Sequence, residues 1–185
     1  FALALASLLL QTPVFAQSDR KVTNINRGWL FHQGESTPSI TPGQAKAGGW
    51  REVNLPHDFQ IEQPWVAPAA DEKANNSDAG ANIKSRLSSR GFKEMGSGWY
   101  VKSFTPSKED KGKRILIDFQ GIMYLGDVYL NGHKMGGTDY GYVGFEIDIT
   151  QNLRYGEENI IAVYSNTANP RDSRWYTGGG LFRDV

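Results

Sequence analysis

A chain of 185 residues has room for one domain with a full hydrophobic core. Its 20 basic and 20 acidic residues cancel, so it lacks the concentrated positive charge by which nucleic acid or an anionic membrane is bound. Without a single cysteine, disulfide staples, thiolate metal sites, cysteine nucleophiles and a lipid-anchored N-terminal Cys are all excluded.

Residues 1–16, FALALASLLLQTPVFA, are an apolar run closing on Val14-Phe15-Ala16, with small residues where a signal peptidase reads. The run is too short to span a bilayer and is followed by polar QSDRK. It predicts a secretory signal cut before Gln17, export to the periplasm or beyond, and no membrane span. The basic region that opens such signals is missing and position 1 is Phe, which predicts further sequence upstream. Residues 17–23 then form a short lead into a domain over 24–185.

Trp29, Trp50 and Trp99 are expected at strand entrances, packed in the core or its rim. In LPHDF, His57 is expected to bond backbone at a strand end while Asp58 shapes the turn. From Glu62 to Gly98 strand patterning disappears and Ala, Ser, Asn and Gly dominate. A loop of that length inside a compact domain is usually functional or disordered, and a short helix fits near Ile83–Leu87. Trp65 lies in this stretch between prolines and is equally suited to docking or to ligand contact.

Beyond it the hydrophobic period is two. GWYVKSFT predicts a strand over Tyr100–Thr105, and KRILIDFQG sets Ile115, Ile117 and Phe119 on one face. GDVYLNG sets Val128 and Leu130 together and ends on Asn131-Gly132, a strong two-residue hairpin signal. GFEIDIT and NIIAVYSN supply two further strands, the last entered through a turn at 156–159. Short, evenly spaced strands with no helical period of ordinary length predict an all-β, antiparallel sandwich or jelly roll.

The closing stretch, DSRWYTGGGLFRDV, gathers an acid, an arginine, aromatics and three glycines. Gly178-Gly179-Gly180 lacks the Lys-Ser/Thr and helix of a phosphate loop; 181–185 reads as a strand start. Glycines here let the backbone approach another surface closely, and Trp175 offers a flat indole to the C–H face of a sugar. Catalytic constellations are thin. No nucleophile elbow accompanies His57 and Asp58, and no carboxyl pair stands in a recognisable glycosidase motif. The three histidines are widely spaced, and no cofactor or metal site is identifiable.

Six motifs occur in order: NLPHDF, GSGWYVKSF, FQGIMYLGDVYLNGHKMG, GYVGFEIDIT, NIIAVYSN and SRWYTGGGLFRDV. Together they resemble the N-terminal sugar-binding domain of glycoside hydrolase family 2, most closely bacterial β-galactosidases, over 24–185. The resemblance implies a galactose-binding-domain-like jelly roll that docks on an immunoglobulin-like domain and a (β/α)8 barrel. Both catalytic glutamates would lie in the barrel, so this chain would hold none and be inactive alone. It implies a substrate-pocket loop formed by Asp172, Arg174 and Trp175, with Asp172 accepting bonds from sugar hydroxyls, and a β-linked oligosaccharide as substrate. In some members an acid stands two positions before the Trp, where this chain has Ser173. Arg183 is expected in a salt bridge to a neighbouring domain, and any Mg2+ or Na+ would bind mainly outside this chain. A β-glucuronidase or β-mannosidase relative, or a stand-alone carbohydrate-binding module, would share the scaffold.

Overall fold

The computed structural model describes residues 20–66, 92–168 and 176–185. The expected signal over 1–16 and the helix near 83–87 lie outside them. Among these residues eight strands form two antiparallel sheets, as the alternating pattern predicts. They are β1 (Trp29–Gln33), β2 (Arg51–Val53), β3 (Ser97–Phe104), β4 (Leu116–Phe119), β5 (Leu125–Leu130), β6 (His133–Thr138), β7 (Phe145–Asp148) and β8 (Asn159–Asn166). The larger sheet runs β2-β1-β3-β8-β5-β6 and the smaller pairs β4 with β7.

Period-two side chains fill the space between the sheets. Trp29, Phe31, Tyr100, Val128, Leu130, Ile161 and Val163 of the large sheet meet Ile117, Phe119 and Ile147 of the small one and Ile149 just beyond it. Each fully buried aliphatic or aromatic side chain contributes about 1.5–3 kcal/mol by leaving water. A satellite core lies on the outer face of the large sheet. There Leu30, Trp50, Trp99, Val101 and Ala162 are covered by Ala45 of the one α-helix among the described residues, α1 (Pro42–Ala47). All three strand-entrance tryptophans are buried, as expected. Helix α1 is short but well started: Thr41 Oγ1 accepts from Gln44 N–H while Gln44 Oε1 accepts from Thr41 N–H, with Pro42 behind the cap.

The β5–β6 hairpin turns on Asn131 and Gly132 with φ of 51° and 84°, the paired positive values of a type I′ turn. Strands β1, β2 and β6 carry the weakest sequence signal. Strand β6, HKMGGT, has only Met135 packed against the core, so it has no apolar alternation to read.

One expectation fails. Residues 181–185 form no strand; only Gly180 pairs, in an isolated bridge with Met123. The backbone groups of this segment are shared among several loops. His57 N–H donates to Leu181 O, Gln120 N–H to Asp184 O and Ile25 N–H to Val185 O. No neighbouring strand offers a continuous ladder, so apolar character alone does not make this segment a strand.

Candidate functional site

The strands of an antiparallel sandwich put alternate loops at the same end. Strand β3 begins and β8 finishes at one end, where Ser97 pairs with Asn166. The His57–Trp65 loop, the 139–144 loop and the glycine segment gather there. Of the eight large exposed apolar side chains among the described residues, seven come from this end: Ile61, Trp65, Phe92, Tyr140, Tyr142, Val143 and Tyr176. The exposed aromatics among the described residues are therefore gathered at one end, which marks it as an interaction face.

The glycine segment is held there by Asp58. Its Oδ1 accepts from Gly179 N–H at 2.8 Å and Gln60 N–H at 3.0 Å, and its Oδ2 accepts from the Tyr176 hydroxyl at 2.8 Å. Phe59 N–H donates to Gly179 O and His57 N–H to Leu181 O, so the LPHDF loop and 176–181 are laced side by side. On the other flank, Met123 and Gly180 exchange backbone bonds and Ser165 Oγ donates to Met123 O. The glycines are required by this crowding. Gly180 has φ 98°, and a Cβ there would overlap the Tyr100 hydroxyl. Asp58 shapes its own turn as expected, but its larger task is to fasten Tyr176 and Gly179.

His57 departs from expectation. Its ring does not bond backbone; Nδ1 lies 2.8 Å from the Tyr100 hydroxyl, while Nε2 lies 3.1 Å from Arg51 Nη2 and 3.5 Å from Glu62 Oε1. Arg51 and Glu62 form an ion pair beside it. Burial holds the His57 pKa below its usual value, against the pull of Glu62 and together with the push of Arg51. Neutral His57 therefore accepts from Arg51 at Nε2 and donates from Nδ1 to Tyr100. Burial raises the Tyr100 phenol well above its ordinary pKa. Both ring nitrogens are committed to this network, so His57 and Asp58 assemble no nucleophile–base pair.

Trp65 is 72% exposed. It is nevertheless positioned: its backbone bridges Lys93, Val66 N–H donates to Phe92 O, and Glu94 N–H donates to Pro64 O. Lys93 Nζ sits 4.1 Å from the indole centroid and donates to Gln63 O, so one indole face is covered by a pinned cation and the ring projects into solvent. Asp172, Arg174 and Trp175 lie outside the described residues. Arg183 donates to the carbonyl oxygens of Gln120 and Tyr142, 3.4 Å each, and lies over Phe182. Among the described residues no three His, Asp or Glu side chains converge as a metal site, and no helix is long and apolar enough to cross a membrane.

The sequence reading missed Tyr176 and Tyr100 and undervalued Asp58. Proximity of LPHDF to the glycine motif was the missing information, because 118 residues separate Asp58 from Tyr176.

A two-sheet sandwich with its aromatic loops gathered at one end defines a galactose-binding-like domain. Residues 89–176 match the family model described as glycosyl hydrolase 2 galactose-binding domain-like. The chain belongs to glycoside hydrolase family 2, as its N-terminal galactose-binding-like part. It is 35% identical over 168 residues to a β-galactosidase of Bacteroides ovatus, covering 91% of this chain and 18% of that protein. It is 30% identical over 186 residues to a β-glucuronidase of Formosa agariphila, covering 94% and 17%. A β-glycosidase structure from Bacteroides vulgatus superposes with a TM-score of 0.69 at 32% identity, covering 87% of this chain and 19% of that one. The chain spans about a fifth of the length of these relatives.

Proposed function

We propose that this chain is the substrate-pocket-forming domain of an exported, retaining β-galactosidase-like glycosidase acting on terminal β-galactosides. Residues 24–185 are the sugar-binding domain, 17–23 its lead and 1–16 its export signal. Asp172, Arg174 and Trp175 line the subsite for the terminal sugar, and Trp65 contributes a stacking face at its rim. The bond-breaking glutamates, and any Mg2+ or Na+ site, belong to other domains of the same polypeptide, against which the aromatic end docks.

The observation that carries this reading is the Asp58 fastening. A carboxylate with three donors, set against glycines that admit close backbone approach, fixes Tyr176 and Gly179, which follow Asp172, Arg174 and Trp175 in sequence. A recognition loop on a rigid stem loses less entropy when a sugar binds. Positioned, exposed Trp65 at the same end of the sandwich fits a ligand with an apolar ring face.

The β-glucuronidase reading has an observation of its own, the identity to the Formosa agariphila enzyme over almost the whole chain. The deciding experiment reads the source DNA past the codon for Val185 and expresses the complete product. Release of nitrophenol from the β-galactoside in preference to the β-glucuronide supports the main reading; the reverse preference installs the second. A frame that closes within a few codons sinks both in favour of a stand-alone carbohydrate-binding module.

A further inference from the structure

The end of the sandwich opposite the aromatic loops is built differently. Strands β3 and β8 are eight residues each, which sets the two ends roughly 24 Å apart at about 3.4 Å per residue. At this far end the connection from β3 to β4 meets the connection from β7 to β8. Gly156 N–H donates to Pro106 O at 2.8 Å, tying the two loops together. Between them lies a depression of about 480 Å³ lined by Lys108, Lys111, Thr150, Gln151, Leu153 and Tyr155.

Three features give this depression a chemistry. Its lining holds two ammonium groups and no carboxylate. Of the neighbouring acids, Asp110 pairs with Lys113, Asp148 pairs with Arg114 and Thr150, and Glu109 accepts from Ser107 Oγ, while Glu157 and Glu158 stand outside the lining. The Lys108 and Lys111 ammonium groups and the Gln151 amide have no hydrogen-bond or ion-pair partner among the described residues. Second, Lys108 is seated. Its stem runs so close over Gly156, at φ 75°, that a Cβ there would come within 2.5 Å of Lys108 Cε. Third, the remaining wall is Leu153 and the Tyr155 ring, whose hydroxyl is turned inward to Thr150 O at 3.3 Å.

Cations, an unpaired amide and an apolar ring wall together suit a ligand with one negative group and an apolar face. The volume falls in the range of about 300–1,000 Å³ typical of small-molecule sites, larger than a bare inorganic anion requires. We propose that this depression binds an anionic sugar unit, through the carboxylate of a uronate or the sulfate of a sugar sulfate. The site is independent of the aromatic end and of the activity proposed for it. It would retain an acidic stretch of a polysaccharide at a distance from the pocket where a terminal sugar is read.

The test is a nitrogen-15 amide titration of the 185-residue chain with glucuronic acid, galactose 6-sulfate, galactose and inorganic sulfate. The expected result is saturable shifts at 107–111 and 150–156 with one or both anionic sugars, and at least tenfold weaker shifts with galactose and inorganic sulfate. Which anionic sugar binds identifies the charged group. Lys108→Gln and Lys111→Gln should each weaken binding about tenfold, the effect of one charge-assisted bond, without moving the melting temperature. Equal response to inorganic sulfate reduces the site to a non-selective anion contact and overturns the proposal. Equal response to galactose, or no saturable shift at all, overturns it as well.

Discussion

Asp58 satisfies three donors with two oxygens, and each comes from a segment that would otherwise be loose: Gln60, Tyr176 and Gly179. Hydrogen bonds to a charged group are worth roughly 1.5–3 kcal/mol each before solvent screening. Asp58→Ala should therefore lower unfolding free energy by about 2–3 kcal/mol and speed amide exchange at Gly179. Unchanged exchange at Gly179 would show that the fastening lies elsewhere. His57 gives a pH signature. Burial lowers its native pKa below 6.5, so the unfolded chain binds the proton more tightly. Stability then falls as pH drops from about 6.5 toward that lowered value. Urea denaturation at pH 7.5 and pH 5 should show this slope, and His57→Gln should flatten it. A slope identical in the variant would remove His57 as its source. Gln60 is fully buried, and neither amide atom finds a partner among the described residues. Replacing such a group by an apolar one of similar shape removes an uncompensated desolvation cost. Gln60→Met is expected to be neutral or to stabilise by about 1 kcal/mol. A loss of more than that would reveal an internal water bound to the amide.

At the scale of elements, the glycine segment behaves as a strut between loops. Its conformation is enforced from two sides, by the LPHDF loop and by Met123 with Ser165. Gly180 therefore tolerates no side chain: positive φ and the Tyr100 hydroxyl act together. Gly34 has a similar φ of 97° but nothing within 4 Å of a Cβ. Gly34→Ala should cost only about 1 kcal/mol in backbone strain, whereas Gly180→Ala adds a steric clash and should cost clearly more. Comparable melting temperatures for the two variants would show that Tyr100 yields easily. The β5–β6 hairpin is a contrasting element, because its turn is determined locally. Asn131 also receives Ile160 N–H on its Oδ1 and donates to Asn159, which fastens the turn to β8.

The described residues are polarised along the strands. One end presents aromatic loops around the Asp58 fastening, the other an open depression lined by Lys108 and Lys111. A half-pocket lacking its facing walls desolvates a sugar poorly, and a retaining glycosidase needs two facing carboxyl groups about 5–5.5 Å apart. The 185-residue chain alone is accordingly expected to release no nitrophenol from nitrophenyl β-galactoside above buffer. Hydrolysis that copurifies with the chain and is lost in Asp58→Ala would move catalysis into this domain and overturn the assignment.

Much of this architecture is present in the residue pattern itself. Period-two alternation in 115–119, 126–130, 145–149 and 159–166 decides strand, face and core, because a strand has one inward side and burial selects it. Asn131-Gly132 decides a turn, because positive φ is a property of those residues alone. The ordered motifs decide the family. Tertiary structure decides what depends on partners distant in the chain. Residues 181–185 open on Leu181-Phe182 like a strand, yet their carbonyls are taken by His57, Gln120 and Ile25 from separate loops. His57 finds Tyr100, Arg51 and Glu62 rather than backbone, because the fold stacks its loop against β3. Asp58 becomes the fastening of the glycine segment only when residues 118 apart in sequence are brought within a hydrogen bond. Local conformational preference is carried by neighbouring residues, while the occupancy of each donor and acceptor is decided by whatever the closed sandwich places against it.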